Sequence, residues 1–294
     1  MIRFCTKFII EIFVALLLLI YAFVVIDWLN IAKDCYKIYN LYMPEKTERT
    51  DFDLPYDKNL EPIVIDGCSF TYGDSIKIEE TFGYKLQKMT KRKVYNYGMS
   101  GHGVQHILYR VQNMQLTDNN EEPKYFIYTY INDHLRRMLC EYNGVYHSEK
   151  RNIFAVKHNR IVPKSIKITP MDYLKITSLW QSYRYGMFNA MSYDQKFDIF
   201  ELYMKELQNS LHKKFPNTKL VIVVYYPTVD SHGEEATTDR WTELEQEGII
   251  VIRFDSPKYK FLEDKEYISN LDNVHPNGKA WNIITPIVVK NLNL

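Results

Sequence analysis

Little in this chain invites metal or redox chemistry. Its four cysteines, Cys5, Cys35, Cys68 and Cys140, are scattered over 294 residues. They form no CxxC and no Cys/His spacing of the kind that holds structural zinc. A disulfide framework is therefore excluded as the organising device, although Cys35 and Cys140 could pair. No dinucleotide fingerprint, phosphate loop or HExxH motif occurs, so neither a cofactor nor a metal is expected. Charge of one sign is lacking too. Against 37 basic side chains stand 36 acidic ones, a net charge of +1. With no basic excess, no nucleic-acid partner is expected. An apolar content of 46% with 15% aromatics excludes a disordered chain.

What is present begins with one long apolar run. Residues 8–29 are almost all apolar, and residues 12–26 carry no charge at all. About 20 such residues span a bilayer as a helix. Arg3 and Lys7 precede the run, while Lys33 and Lys37 after it are offset by Asp27 and Asp34. The positive-inside tendency then puts the amino terminus in the cytoplasm and the rest outside. A cleaved signal peptide is the alternative, but the run is long for one and no small-x-small site follows it. The expected organisation is a cytoplasmic tip and single transmembrane anchor at 1–30, a polar stalk or linker at 31–60, and a globular domain at 61–294.

Within the globular domain, strand-like and helix-like segments alternate. Strands are expected at 62–66, 93–97, 125–130, 219–225 and 249–254. Helices are expected at 79–90, around 104–111, at 196–214, 238–246 and 277–293, the last interrupted by Pro286. This order predicts an α/β fold, a three-layer α/β/α sandwich on a five-stranded parallel sheet. The connection between the third and fourth strands is far longer than a plain crossover of ~30 residues. Its first half reads as β-rich and its second as helical. At the carboxyl end of a central strand, an insertion at about 140–195 reads as a cap over a substrate site.

Four polar blocks fall after strands of this pattern. Gly67-Cys68-Ser69-Phe70-Thr71-Tyr72-Gly73 follows the first strand. Asn96-Tyr97-Gly98-Met99-Ser100-Gly101 follows the second, Asn132-Asp133 the third, and Asp272-Asn273-Val274-His275 the fifth. All four then sit at one edge of the sheet, where open α/β sheets bind ligands. A serine needs a base to take its proton, and the base needs a third group to hold its tautomer. Ser69, His275 and Asp272 could supply the three. Ser69 could also simply cap a helix, and the two glycines could serve only a tight turn. The G-x-S-x-G elbow is absent, because Thr71 stands where its second glycine would be.

The order and spacing of these blocks resemble the SGNH (GDSL-type) hydrolase superfamily over residues 62–293. Cys68 replaces the usual aspartate of the first block, and Ile131 stands where glycine is common in the third. The resemblance implies a flavodoxin-like sheet, a nucleophile at Ser69, a base at His275 and an orienting acid at Asp272. It implies oxyanion donors at the Ser69 and Gly101 backbone N–H groups and the Asn132 amide, with Gly98 as second choice for the glycine. His134, Arg136 and Arg137 are placed near the site mouth, where they could contact an anionic or sugar substrate or be simply solvated surface charge. The implied activity is a serine carboxylester hydrolase outside the membrane, acting on a small acyl ester or an acylated glycan. An O-acyltransferase with the same triad and a catalytically silent carbohydrate-binding or assembly protein are the alternatives.

Overall fold

The computed structural model describes residues 10–22, 25, 49–139, 142–143, 147–151, 154–163, 186–187, 190–225 and 240–294. Nine strands occur among them: β1 (Ile63–Gly67), β2 (Val94–Asn96), β3 (Tyr125–Tyr130), β4 (Tyr142–Asn143), β5 (His147–Arg151), β6 (Phe154–Lys157), β7 (Arg160–Pro163), β8 (Lys219–Val224) and β9 (Ile250–Arg253). Strands β2-β1-β3-β8-β9, in that order, make one sheet in which every pairing is parallel. The sheet switches direction of winding between β1 and β3, and the carboxyl ends of strands at such a switch are where open α/β sheets bind ligands. β1 and β3 are buried along their whole length, as expected of strands covered on both faces.

The two faces follow from strand alternation. Ile63, Ile65, Ile127, Val221, Val223 and Ile252 lie in one core cluster. The same cluster takes Phe82 and Leu86 of helix α2 (Phe82–Thr90) and Trp281 and Ile284 of helix α7 (Gly278–Asn291). Phe82 stacks on Trp281 with centroids 5.1 Å apart. On the other face, Tyr130 meets Phe200 of helix α5 (Tyr193–Lys214) and Trp241 of helix α6 (Arg240–Gln246), each at 4.9 Å. Helix α3 (Val104–Asn113) lies beside α5 in this layer. The three-layer sandwich expected from the sequence is therefore present in the described residues.

Some expectations shift. Helix α7 runs through Pro286 without interruption. Pro286 and Asn282, whose carbonyl loses its donor to the proline, are both exposed, so water can satisfy that carbonyl. The stretch expected as linker reaches into the fold. Phe52 belongs to the core cluster, Asn96 N–H donates to Thr50 O at 2.9 Å, and Gln87 Nε2 donates to Leu54 O at 2.9 Å.

The chain divides into two compact units. One comprises Met43–Leu139, Asn152–Lys164 and Met191–Leu294, and holds the sheet; the other comprises Met1–Tyr42, Cys140–Arg151 and Ser165–Ala190. The expected cap is thus split. Its β6–β7 hairpin, turning at His158 and Asn159 with positive φ, sets Phe154 edge-on to Tyr203 of α5. The β4–β5 pair belongs to the other unit. Most of the helical half expected after Pro170, together with Cys5, Cys35 and Cys140, lies outside the described residues.

Residues 8–9, 23–24 and 26–29 of the expected transmembrane run lie outside the described residues. Residues 10–22 are helical, with Ile10, Phe13, Leu16, Leu18, Leu19 and Tyr21 exposed. Among the described residues, no helix is long and apolar enough to cross a membrane.

Loop order at the sheet edge depends on one close approach. Asn96 at the end of β2 donates from Nδ2 to Thr71 O at 3.0 Å and accepts the Gly98 N–H on Oδ1 at 2.9 Å. Gly98 is thereby pressed against the first block: a Cβ there would stand 2.5 Å from Tyr72 N and 2.6 Å from Thr71 Cβ. Backbone cannot yield as a flexible side chain can. Gly98→Ala is expected to destabilise the protein by about 1–3 kcal/mol, read from urea unfolding. An unchanged midpoint would contradict this packing.

Candidate active site

The nucleophile candidate stands at a strand-to-helix turn. β1 ends at Gly67, and Ser69 opens the short helix α1 (Ser69–Tyr72). Cys68, at the preceding position, makes no side-chain cap, and Ser69 is itself inside the helix, so the capping role weighed for Ser69 is not adopted. Ser69 O accepts from Gly73 N–H at 2.8 Å and Asp74 N–H at 3.0 Å, which closes the turn. The residue is only 6% exposed. Cys68 is fully buried in the core cluster. Burial pushes its thiol up, against the pull of the nearby Arg137 charge and hydrogen bonds from Phe70 N–H and the Ser69 side chain. It is therefore a poor thiolate source.

The base and its acid come from the other end of the chain. Asp272 and His275 lie in the turn before α7, with Asn273 at a left-handed φ of 57°. Asp272 Oδ1 accepts the N–H groups of Val274 at 2.9 Å and His275 at 3.0 Å. Its Oδ2 is 2.6 Å from His275 Nδ1. Burial alone would raise this carboxyl. Hydrogen bonds from the Ser75 side chain, from the two backbone N–H groups and from the His275 ring instead hold it well below the ordinary carboxylate range. An ionised Asp272 fixes a proton on Nδ1 and leaves Nε2 as the basic nitrogen.

The two loops are held against each other. The Ser75 hydroxyl donates to Asp272, and Ser75 O accepts from Ser269 Oγ at 2.9 Å, across 194 positions of sequence. Ser269 N–H in turn donates to His275 O at 2.7 Å. Phe70, next to Ser69, meets the His275 ring edge-on at 5.2 Å. Ser75 was not singled out from the sequence. Its left-handed φ of 63° is a conformation that a serine in sequence does not announce.

The expected oxyanion donors fare differently. Gly101 is at a left-handed φ of 74°, which favours glycine. Asn132 accepts the Tyr130 hydroxyl on Oδ1 at 3.2 Å. Burial holds that phenol well above its ordinary value, so Tyr130 is a protonated donor and Asn132 Nδ2 is the end left to donate onward. Gly98 is set aside as second choice, because its N–H is engaged by Asn96 Oδ1. Ile131, in the place of a glycine, fills the core cluster. Ser100 Oγ donates to Asp74 Oδ2 beside these groups.

The three residues expected at the site mouth are each engaged by neighbours: His134 is buried, while Arg136 remains partly exposed. His134 is fully buried, with Nδ1 2.5 Å from Tyr128 Oη. Arg136 clasps Asp133 through Nε at 2.6 Å and Nη2 at 3.0 Å. Arg137 reaches the same carboxylate at 2.6 Å and donates to His102 O at 2.7 Å. All three belong to helix α4 (Asp133–Leu139). Burial would raise Asp133, but Arg137 and Arg136 hold it below its ordinary value. The described residues contain no group of three or more His, Cys, Asp or Glu side chains able to hold a metal.

His134 carries a pH consequence. Burial first, then the Arg137 charge, holds its imidazole well below the usual value. Below about pH 6.5 the unfolded chain gains a proton here that the folded chain cannot take up. Folding stability is therefore expected to fall with pH, by up to about 1.4 kcal/mol per unit from this group. His134→Asn keeps an acceptor for Tyr128 and cannot titrate. Urea unfolding at pH 7.5, 6 and 5 should show the parent losing more stability than the variant. Equal losses would contradict a neutral, buried His134.

No family model and no curated protein matches the chain. Among solved structures it is similar to a member of the lipolytic protein G-D-S-L family from Veillonella parvula DSM 2008. That likeness has 12% identity and a TM-score of 0.46, over 79% of this chain and 97% of that one. It is similar to a family 3 carbohydrate esterase from Clostridium thermocellum at 12% identity and a TM-score of 0.45, over 79% and 94% of the two chains. It is similar to Axe2, an acetylxylan esterase from Geobacillus stearothermophilus, at 11% identity and a TM-score of 0.44, over 83% and 97%. With TM-scores below 0.5 these are similarities only, and the functional reading rests on the geometry above.

Proposed function

We propose that this chain is a serine-dependent carboxylester hydrolase. The observation that carries the reading is the Asp272–His275 couple, hydrogen-bonded at 2.6 Å and fastened through Ser75 and Ser269 to the loop that begins at Ser69. In this reading Ser69 Oγ attacks the acyl carbonyl while His275 Nε2 takes its proton. The Ser69 and Gly101 N–H groups and Asn132 Nδ2 receive the oxyanion. The tetrahedral intermediate collapses, and the alcohol leaves with the proton held by His275. Water, deprotonated by the same imidazole, then cleaves the acyl-enzyme and frees the acid. Asp272 stays ionised throughout and stabilises the imidazolium. An O-acylated glycan is the proposed substrate class. Water enters only at the second step, so a sugar hydroxyl in its place would give the transferase.

Ser69→Ala should abolish fluorophosphonate labelling and leave the melting temperature nearly unchanged. His275→Ala should lower kcat by at least about 10³, and Asp272→Asn comparably by favouring the wrong tautomer. Labelling that survives in Ser69→Ala, or moves to Cys68, would reassign the nucleophile. Retained kcat in His275→Ala would remove the base.

The proposed setting is the outer side of a cytoplasmic membrane, with residues 1–7 inside. Its support is the charge-free run at 12–26 and the exposed apolar side chains of residues 10–21. A carboxyl-terminal reporter that works only outside the cytoplasm should be active. A stably expressed but silent fusion would reverse the orientation, and a new amino terminus near residue 30 on a released protein would mark a cleaved signal.

A further inference from the structure

One guanidinium touches the neighbours of two of the three proposed oxyanion donors. Arg137 donates through Nη1 to the carbonyl of His102, the residue after Gly101, at 2.7 Å. It donates through Nε to Asp133 Oδ2, the residue after Asn132, at 2.6 Å. The rest of Arg137 is equally fixed. Gln105 Nε2 donates to its carbonyl at 2.9 Å, and a Cβ built on Gly103 would lie 3.0 Å from Arg137 Cβ. The Arg137 side chain is 12% exposed and that of Asp133 15%. An exposed arginine in a mobile ion pair would not hold this geometry. A planar fork with its donors fixed at their angles can set the distance between two loops in a way a single ammonium cannot.

We propose that Arg137 is a positioning residue that sets the spacing of the Gly101 and Asn132 oxyanion donors, rather than a residue that binds substrate. The inference rests on the hydrolase reading above. The loops after β2 and β3, which Arg137 bridges, have no continuous secondary structure between them. Three donors must converge on one oxygen that becomes charged only in the transition state. An offset of a few tenths of an ångström in one loop weakens that convergence while leaving the ground-state substrate bound as before. The effect therefore falls on kcat and spares KM.

The test uses the full chain in detergent, with 4-nitrophenyl acetate and a fluorophosphonate probe. In Arg137→Gln, kcat and the labelling rate should both fall by about 10²-fold, comparable with losing one oxyanion donor. KM should stay within about threefold of the parent. Arg137→Lys, which keeps the charge and one donor, should recover part of the loss. Parent-like kcat in either folded variant would overturn the inference. So would a tenfold rise in KM at unchanged kcat, which would mark a substrate contact, and so would failure of both variants to fold, which would make Arg137 a stability element. A parent chain that neither hydrolyses the ester nor takes the probe would instead sink the hydrolase reading itself, whatever the variants do.

Discussion

Hydrogen bonds around Ser75 join the two ends of the globular unit and hold the two loops of the candidate site against each other. The Ser75 hydroxyl reaches Asp272, and its carbonyl receives Ser269 Oγ. These bonds close a loop through nearly the whole sheet, so their formation is entropically costly until the strands are paired. Once the sheet is in place, the β1 loop and the loop before α7 already lie on the same edge. The serine then has only to align them. Asp272 gains from this as well: the same hydroxyl that ties down the loop keeps its carboxylate charged and hence able to orient His275.

A second tie lies beneath the edge. Asp66, the residue before Gly67, is completely buried and 2.5 Å from the Arg110 guanidinium of α3. Arg110 also donates to Tyr97 O at 3.0 Å, at the start of the second block. Burial pushes the Asp66 carboxyl up, against the pull of Arg110. A pair this deep contributes little net stability once desolvation is counted. Its geometric effect is clear, since it joins the end of β1 to the loop after β2. With Asn96 and Arg137, three polar anchors define an edge that hydrophobic packing alone would leave loose.

Much of the frame could be read from the sequence. Ile63-Val64-Ile65 and Leu220-Val221-Ile222-Val223-Val224 are apolar without a break, and such runs bounded by polar turns read as strands buried on both faces. The four blocks were visible because chemistry requires their residue types. What stayed hidden is where side chains turn. His134, Arg136 and Arg137 look solvent-seeking by type, yet His134 is buried against Tyr128 and the two arginines are engaged by Asp133. Gly98 looked like a donor, but its backbone is consumed by Asn96 and its missing Cβ makes room for Thr71. Ser75 had no signature at all, since a left-handed serine reads like any other. Phe52 showed the limit at the domain start, where polar neighbours masked a core residue.

The packing of the two helical layers gives the molecule built-in optical probes. Trp281 sits in the layer with Phe82 and Tyr225, and Trp241 in the opposite layer with Phe197 and Phe200. Both are almost wholly shielded from water. Indole emission shifts to the red when solvent reaches the ring, so each layer carries its own reporter of hydration. Variants that keep one indole at a time, with Trp28 and Trp180 also replaced, would separate loosening of the α7 side, which bears the histidine turn, from loosening of the α5–α6 side.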